Sequence, residues 1–101
     1  MLTTDSLGGV RYMTIDKNKD VSQNKIDGDV FLYNEELNKL VCLNKTASII
    51  WELIDGSEKH MIEKDFLSGF DFKNEAERVA AKDDFEKVLI NLNNSGCINV
   101  G

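Results

Sequence analysis

The sequence predicts a single α+β domain in which a three-stranded antiparallel sheet precedes three helices. Three observations carry this expectation. Three β-rich runs, Val21–Ile26, Asp29–Tyr33 and Lys39–Leu43, are separated by segments of turn-forming residues, Asp27-Gly28 and Asn34–Asn38. After Leu43 the apolar spacing changes from a strand period to a helical one, with Ala47, Ile50, Trp51 and Ile54 recurring at i, i+3, i+4 and i+7. A second stripe, Ala81, Phe85, Val88 and Leu92 with Leu89 beside it, marks a longer helix near the end of the chain.

Composition sets the outer limits. The chain has 101 residues, enough for one modest core, with 42% hydrophobic and 30% charged residues. No window approaches the 18 or more apolar residues of a membrane span, so no membrane partner is expected. Met1 to Gly9 has neither a basic cluster nor an apolar run, which argues against a secretory signal and makes the cytoplasm the expected compartment. Twelve basic and eighteen acidic side chains give a formal charge of −6. A nucleic-acid partner bound through its phosphates would call for the opposite sign.

The elements follow in order. Residues 1–19 are open between an extra edge strand and a loosely held arm. Val10, Tyr12 and Thr14 alternate with Arg11, Met13 and Ile15, and Asp16–Asp20 then breaks the run with turn formers. Val21–Ile26 is a polar strand suited to an exposed face. Asp27-Gly28 is a two-residue hairpin signal, because both residues tolerate positive φ. Asn34–Asn38 is a longer turn, so two hairpins in succession make a meander. Asn44 is placed to cap the first helix and Gly56 to close it in the left-handed conformation. Ser57 is the expected cap of a second helix, about Glu58 to Gly69, with Met61, Ile62 and Phe66 on its apolar side. Phe70 and Phe72 flank Asp71 in a linker and are expected to fold back as anchors. The third helix spans roughly Glu75 to Asn94 and stops at Asn93-Asn94-Ser95-Gly96. Cys97–Val100 follows as a short strand or a packed tail. The order and local connections amount to a winged-helix-like arrangement, with Trp51 expected at the centre of the core.

The residues offer no catalytic centre, and no enzyme activity, metal or cofactor is expected. His60 is the only histidine and stands at the start of a helix without a Cys or His near it in sequence. Cys42 and Cys97 lie far apart, belong to no CxxC, and read as small buried residues on strands. Asp83, Asp84 and Glu86 read as a solvated helix face. Gly8-Gly9 lacks the following Lys and Ser/Thr of a phosphate loop.

The run Leu43-Asn44-Lys45-Thr46-Ala47-Ser48-Ile49-Ile50-Trp51-Glu52-Leu53-Ile54-Asp55-Gly56 resembles the central motif of the PqqD-like family. These are recognition elements of pathways that modify ribosomally made peptides. Asp27–Asn34 resembles the family's preceding hairpin strand. Asp84, Phe85, Val88, Leu89, Leu92, Gly96 and Ile98 resemble its closing helix, so the likeness covers about residues 20–99. The segment before residue 20 has no clear counterpart, the first strand is unusually polar, and Asp71–Lys82 is hard to register.

The resemblance implies a PqqD-like peptide recognition domain over residues 20–101 that binds without catalysis. Its partners would be the leader region of a precursor peptide and a maturation enzyme, such as a radical S-adenosylmethionine protein or a leader peptidase. The peptide would add as a strand to the third strand, Lys39, Leu40, Val41, Cys42 and Leu43, with Asp84, Lys87, Val88 and Asn91 of the last helix as the opposite wall. Leu40 and Cys42 would form selective pockets, and Lys87 and Asp84 would read charges. For Leu40, Cys42 and Val88 the plain alternative is core. A winged-helix nucleic-acid binder is the rival reading, but it needs a basic recognition helix, and Asp83, Asp84 and Glu86 outweigh Lys82 and Lys87. A general protein-interaction module is the third, and homodimerisation stays open.

Overall fold

The computed structural model describes residues 13–101. Among them the chain forms β1 (Ile15–Lys17), β2 (Val21–Ile26), β3 (Asp29–Asn34), β4 (Lys39–Leu43), α1 (Lys45–Leu53), α2 (Lys59–Ser68), α3 (Glu75–Asn94) and β5 (Ile98–Val100). The fold is α+β, with an antiparallel sheet in the order β2-β3-β4 and a separate antiparallel pair, β1-β5. No described helix is long and apolar enough to cross a membrane.

The first hairpin closes at Asp27 and Gly28, both at positive φ (53° and 87°), which gives a two-residue turn the twist of its strands. Register runs from Val21↔Asn34 to Ile26↔Asp29, then from Val30↔Leu43 to Asn34↔Lys39 in the second hairpin. Strand alternation puts Val30, Leu32 and Asn34 on the inner face, together with Val41 and Leu43 across from them. That face joins Ala47, Ile50 and Trp51 of α1 and Phe85, Leu89 and Leu92 of α3 in one core. Leu89, fully buried, sits at the centre of the α3 stripe, while Ala81 and Val88 flank it half-buried.

Asn44 caps α1 as its side chain suggests, accepting from the Ala47 N–H at 2.8 Å. The other end differs from expectation. The helix stops at Leu53, and Ile54 is extended (φ −75°, ψ 116°) yet only 2% exposed. Gly56 does adopt positive φ, but beyond the helix, where its N–H donates to the Ile15 carbonyl at 2.9 Å. The Ile15 N–H in turn donates to the Ser57 carbonyl at 2.9 Å, and the Ser57 N–H donates to Asp55. Ser57 therefore serves this clasp on β1. Glu58 takes the cap position of α2 without a side-chain bond.

The strand near the start of the chain is also displaced. Asp16 and Lys17 belong to it, because β5 provides a partner in the register Ile15↔Val100 to Lys17↔Ile98. Thr14 bridges Glu58, and the Met13 carbonyl accepts from the Lys59 N–H at 2.7 Å. Val10 to Tyr12 of the expected run lie outside the described residues. Trp51 is 3% exposed and lies under β2, its Nε1–H donating to Gln23 Oε1 at 2.9 Å with Lys17 Nζ 5.0 Å from the ring centroid.

Candidate functional site

Among the described residues β4 is hydrogen-bonded on one side only, to β3. Its other edge presents the unpaired N–H and C=O groups that an extended chain can use. Pairing sorts its side chains by face. Leu40 lies opposite Tyr33 and Cys42 opposite Phe31, on the face turned away from the helices. Leu40 is 68% exposed, and Cys42 is free and exposed. Cys42 is therefore no buried core residue: strand parity sends Val41 and Leu43 inward and Cys42 out. Lys39 is exposed, Val41 half-buried and Leu43 buried. The β4 side chains that point toward the helices are thus Val41 and Leu43, whereas Leu40 and Cys42 share the outer face with Phe31, Tyr33 and Ile26.

Contacts near the two ends of α3 give its direction relative to the β3-β4 hairpin. Beyond one end of β4, Asn34 Nδ2 donates to the Ser95 and Gly96 carbonyls at 3.2 and 3.0 Å, while Asn34 Oδ1 accepts from the Leu37 N–H. Beyond the other end, Thr46 shares a cleft with Ala80, Ala81 and Asp84. The helix therefore runs antiparallel to β4, and Asp84, Lys87, Val88 and Asn91 lie on the stretch between these anchors. Asp84, Lys87 and Asn91 are exposed, and Val88 packs half-buried against the core. Lys87 Nζ is 3.0 Å from Asp83, and that hydrogen bond, with the charges of Asp83 and Asp84, raises its pKa. The cleft takes in Asp84 but not Lys87, Val88 or Asn91.

That cleft, about 310 Å³, is lined by Thr46, Phe66, Phe70, Asp71, Phe72, Glu77, Ala80, Ala81 and Asp84. The Phe66 ring stacks on Phe85 at 5.7 Å and meets Phe70 edge-on at 5.0 Å, and Phe70 stacks on Phe72 at 5.5 Å. Phe70 nevertheless remains 43% exposed. The Phe-Asp-Phe linker folds back as its pattern suggests, but it forms an open aromatic shelf as well as an anchor. Only this spacing of two aromatics around an acid hinted at the cleft; Thr46 and Ala80 carry no local signal.

A second depression, about 590 Å³ and mixed in charge, lies between α2 and α3 and includes Lys59, His60, Glu63, Lys82, Asp83 and Glu86. Lys59 is buried, 4% exposed, and its ammonium pairs with Glu86. Glu86 is thus a partner of a buried cation rather than part of a solvated face, and its Oε2 has no hydrogen bond. His60 sits in the first turn of α2, half-buried, with Nδ1 3.9 Å from Glu58. Burial raises the thiol pKa of Cys97, which is fully enclosed. No group of three or more His, Cys, Asp or Glu among the described residues is placed to hold a metal ion. Comparison with protein-family models, curated proteins and solved structures returns no match.

Proposed function

We propose that this domain is a winged-helix-like, PqqD-like recognition module that binds the leader region of a precursor peptide as an added strand on β4. It would present the peptide, in the cytoplasm, to a modifying enzyme such as a radical S-adenosylmethionine protein or a leader peptidase. Binding alone is its role. The observation that carries this reading is the unpaired edge of β4, with α3 running in the opposite direction from the Thr46 end to the Asn34 end. Backbone pairing supplies affinity in such a mode, and the side chains lining the groove supply selection. With the strand parity observed, a peptide residue pointing inward meets Val41, Leu43 and the α3 wall, while its neighbours lie beside Leu40 and Cys42. The acidic balance of −6 disfavours the nucleic-acid alternative.

Candidate precursor peptides from the same genome, fluorescently labelled, provide the test. N-methylation of alternate backbone amides removes donors without altering side chains. Methylation in the register that faces β4 is expected to weaken binding at least about tenfold, the equivalent of about 1.4 kcal/mol. Methylation in the other register is expected to have little effect. Equal tolerance of both would rule out strand addition.

A further inference from the structure

The cleft beside Thr46 has a composition that strand addition alone does not require. Its floor is aromatic, with Phe66 buried, Phe70 43% exposed and Phe72 half-buried. The rings of Phe70 and Phe72 are nearly parallel, 17° apart. Asp71, Glu77 and Asp84 stand among the lining residues, and no basic side chain does. Glu77 Oε1 accepts from the Lys73 N–H at 2.9 Å, which orients that carboxylate without neutralising it. Lys87, one helical turn from Asp84, has its ammonium held by Asp83.

We infer that this cleft is an arginine subsite, taking one arginine side chain of the peptide that pairs with β4. An occupant must satisfy two demands at once. It must cover apolar ring surface, and it must bring positive charge to the exposed carboxylates of Asp71, Glu77 and Asp84 among the lining residues. A guanidinium on a three-carbon stem does both. Its stem lies along apolar surface, its plane stacks on a phenyl face, and its forked donors match a carboxylate. Lysine has the charge but lacks the plane and the fork; an aliphatic residue leaves the carboxylates unmatched. Thr46 is the second residue of α1, three positions past the end of β4, so a peptide paired with β4 that continues past Leu43 heads toward the chain segment that lines the cleft.

The inference rests on the peptide-binding reading, and two experiments keep their failures apart. In the first, the isotopically labelled full chain is titrated with millimolar N-acetyl-arginine N-methylamide and with its lysine, norleucine and glutamate counterparts. Resonances of Phe66, Phe70, Phe72, Ala80, Ala81 and Asp84 are expected to move with the arginine probe, several-fold less with lysine, and not with norleucine or glutamate. The double variant Asp71→Asn/Asp84→Asn, at two exposed positions, is expected to reduce the arginine response at least several-fold, and Phe70→Ala is expected to do the same. No response to arginine, or an equal response to lysine or norleucine, overturns the subsite. In the second experiment, peptides selected from a random ten-residue library are sorted by whether they shift the amides of residues 39–43. Arginine at one fixed position among those binders supports the subsite. Binders at β4 without an arginine preference overturn it while leaving strand addition intact. Loss of all binding at β4 defeats strand addition, and the arginine titration then still decides the cleft.

Discussion

Cys42 and Cys97 share a chemistry and differ in environment, which makes them the most direct residue-level probe of the fold. Cys42 is exposed and Cys97 fully buried. Iodoacetamide should modify Cys42 alone in the native protein and both thiols after denaturation, as read by mass spectrometry. Burial raises the Cys97 pKa above its ordinary value of 9.0, so the folded state holds that proton more tightly than the unfolded chain. Its contribution to stability is therefore complete below pH 9.0 and diminishes as pH rises above it, where the unfolded chain releases the proton first. Replacing Cys97 with Ala should flatten that alkaline decline in urea unfolding. A larger effect attends Lys59. Its removal in Lys59→Ala strips the partner from Glu86, whose side chain is only 26% exposed, and should cost about 2–4 kcal/mol. Lys59→Met combined with Glu86→Leu should recover most of the loss, since an apolar pair leaves no buried charge. The burial of Cys97 was legible in the local pattern, whereas the Lys59–Glu86 pair was not. Glu86, in an acidic run, reads as solvent-facing, because its meeting with Lys59 depends on how α2 packs on α3. Cys42 misled for a different reason: composition makes cysteine a core residue, whereas strand parity, read from the Val41 and Leu43 positions, points it outward.

At the level of elements, legibility followed how local the determinants are. The Asn44 cap, the Ile50/Trp51 stripe, the Asp27-Gly28 turn and the span Glu75–Asn94 are each set by residues within a few positions of one another, and all of them stand in the structure. The β1-β5 pair depends on two segments from opposite ends of the chain, and the ends of α1 and α2 depend on β1. The junction of α3 with the β3-β4 turn is of the same long-range kind. Gly96 has φ of 70°, and a Cβ there would fall 2.5 Å from Asn34 Nδ2 and 2.8 Å from Leu37 Cδ1. Gly96→Ala should therefore cost about 2–4 kcal/mol, from backbone strain and overpacking together. Asn34→Ala should cost about 1–3 kcal/mol, because the buried carboxamide satisfies the Ser95 carbonyl and the Leu37 N–H. Both are measurable by denaturant unfolding. In the proposed binding mode, both should also weaken peptide binding more than an equally destabilising change at Trp51, since they loosen the junction of α3 with the β3-β4 turn.

For the whole molecule, β4 leaves one edge open among the described residues, and the aromatic cleft gathers Thr46, the Phe70–Phe72 linker and α3. The opposite surface of the sheet carries Ile26, Phe31, Tyr33, Leu40 and Cys42. A meander of three strands leaves its first and third strands outermost, and the choice of the third as the peptide-binding edge comes from the family resemblance. The cleft was not legible before the structure, because it assembles Thr46, the Phe70–Phe72 linker and α3 from three separate elements. With a charge of −6, binding to duplex DNA should be undetectable at physiological salt in a mobility-shift assay. The central claim is that an extended peptide adds to β4 opposite α3. Amide NMR titration of the full chain with precursor-peptide candidates tests it most directly. The account predicts shifts concentrated at residues 39–43 and 84–91. Shifts confined to other surfaces, or produced by DNA and not by any peptide, would contradict it.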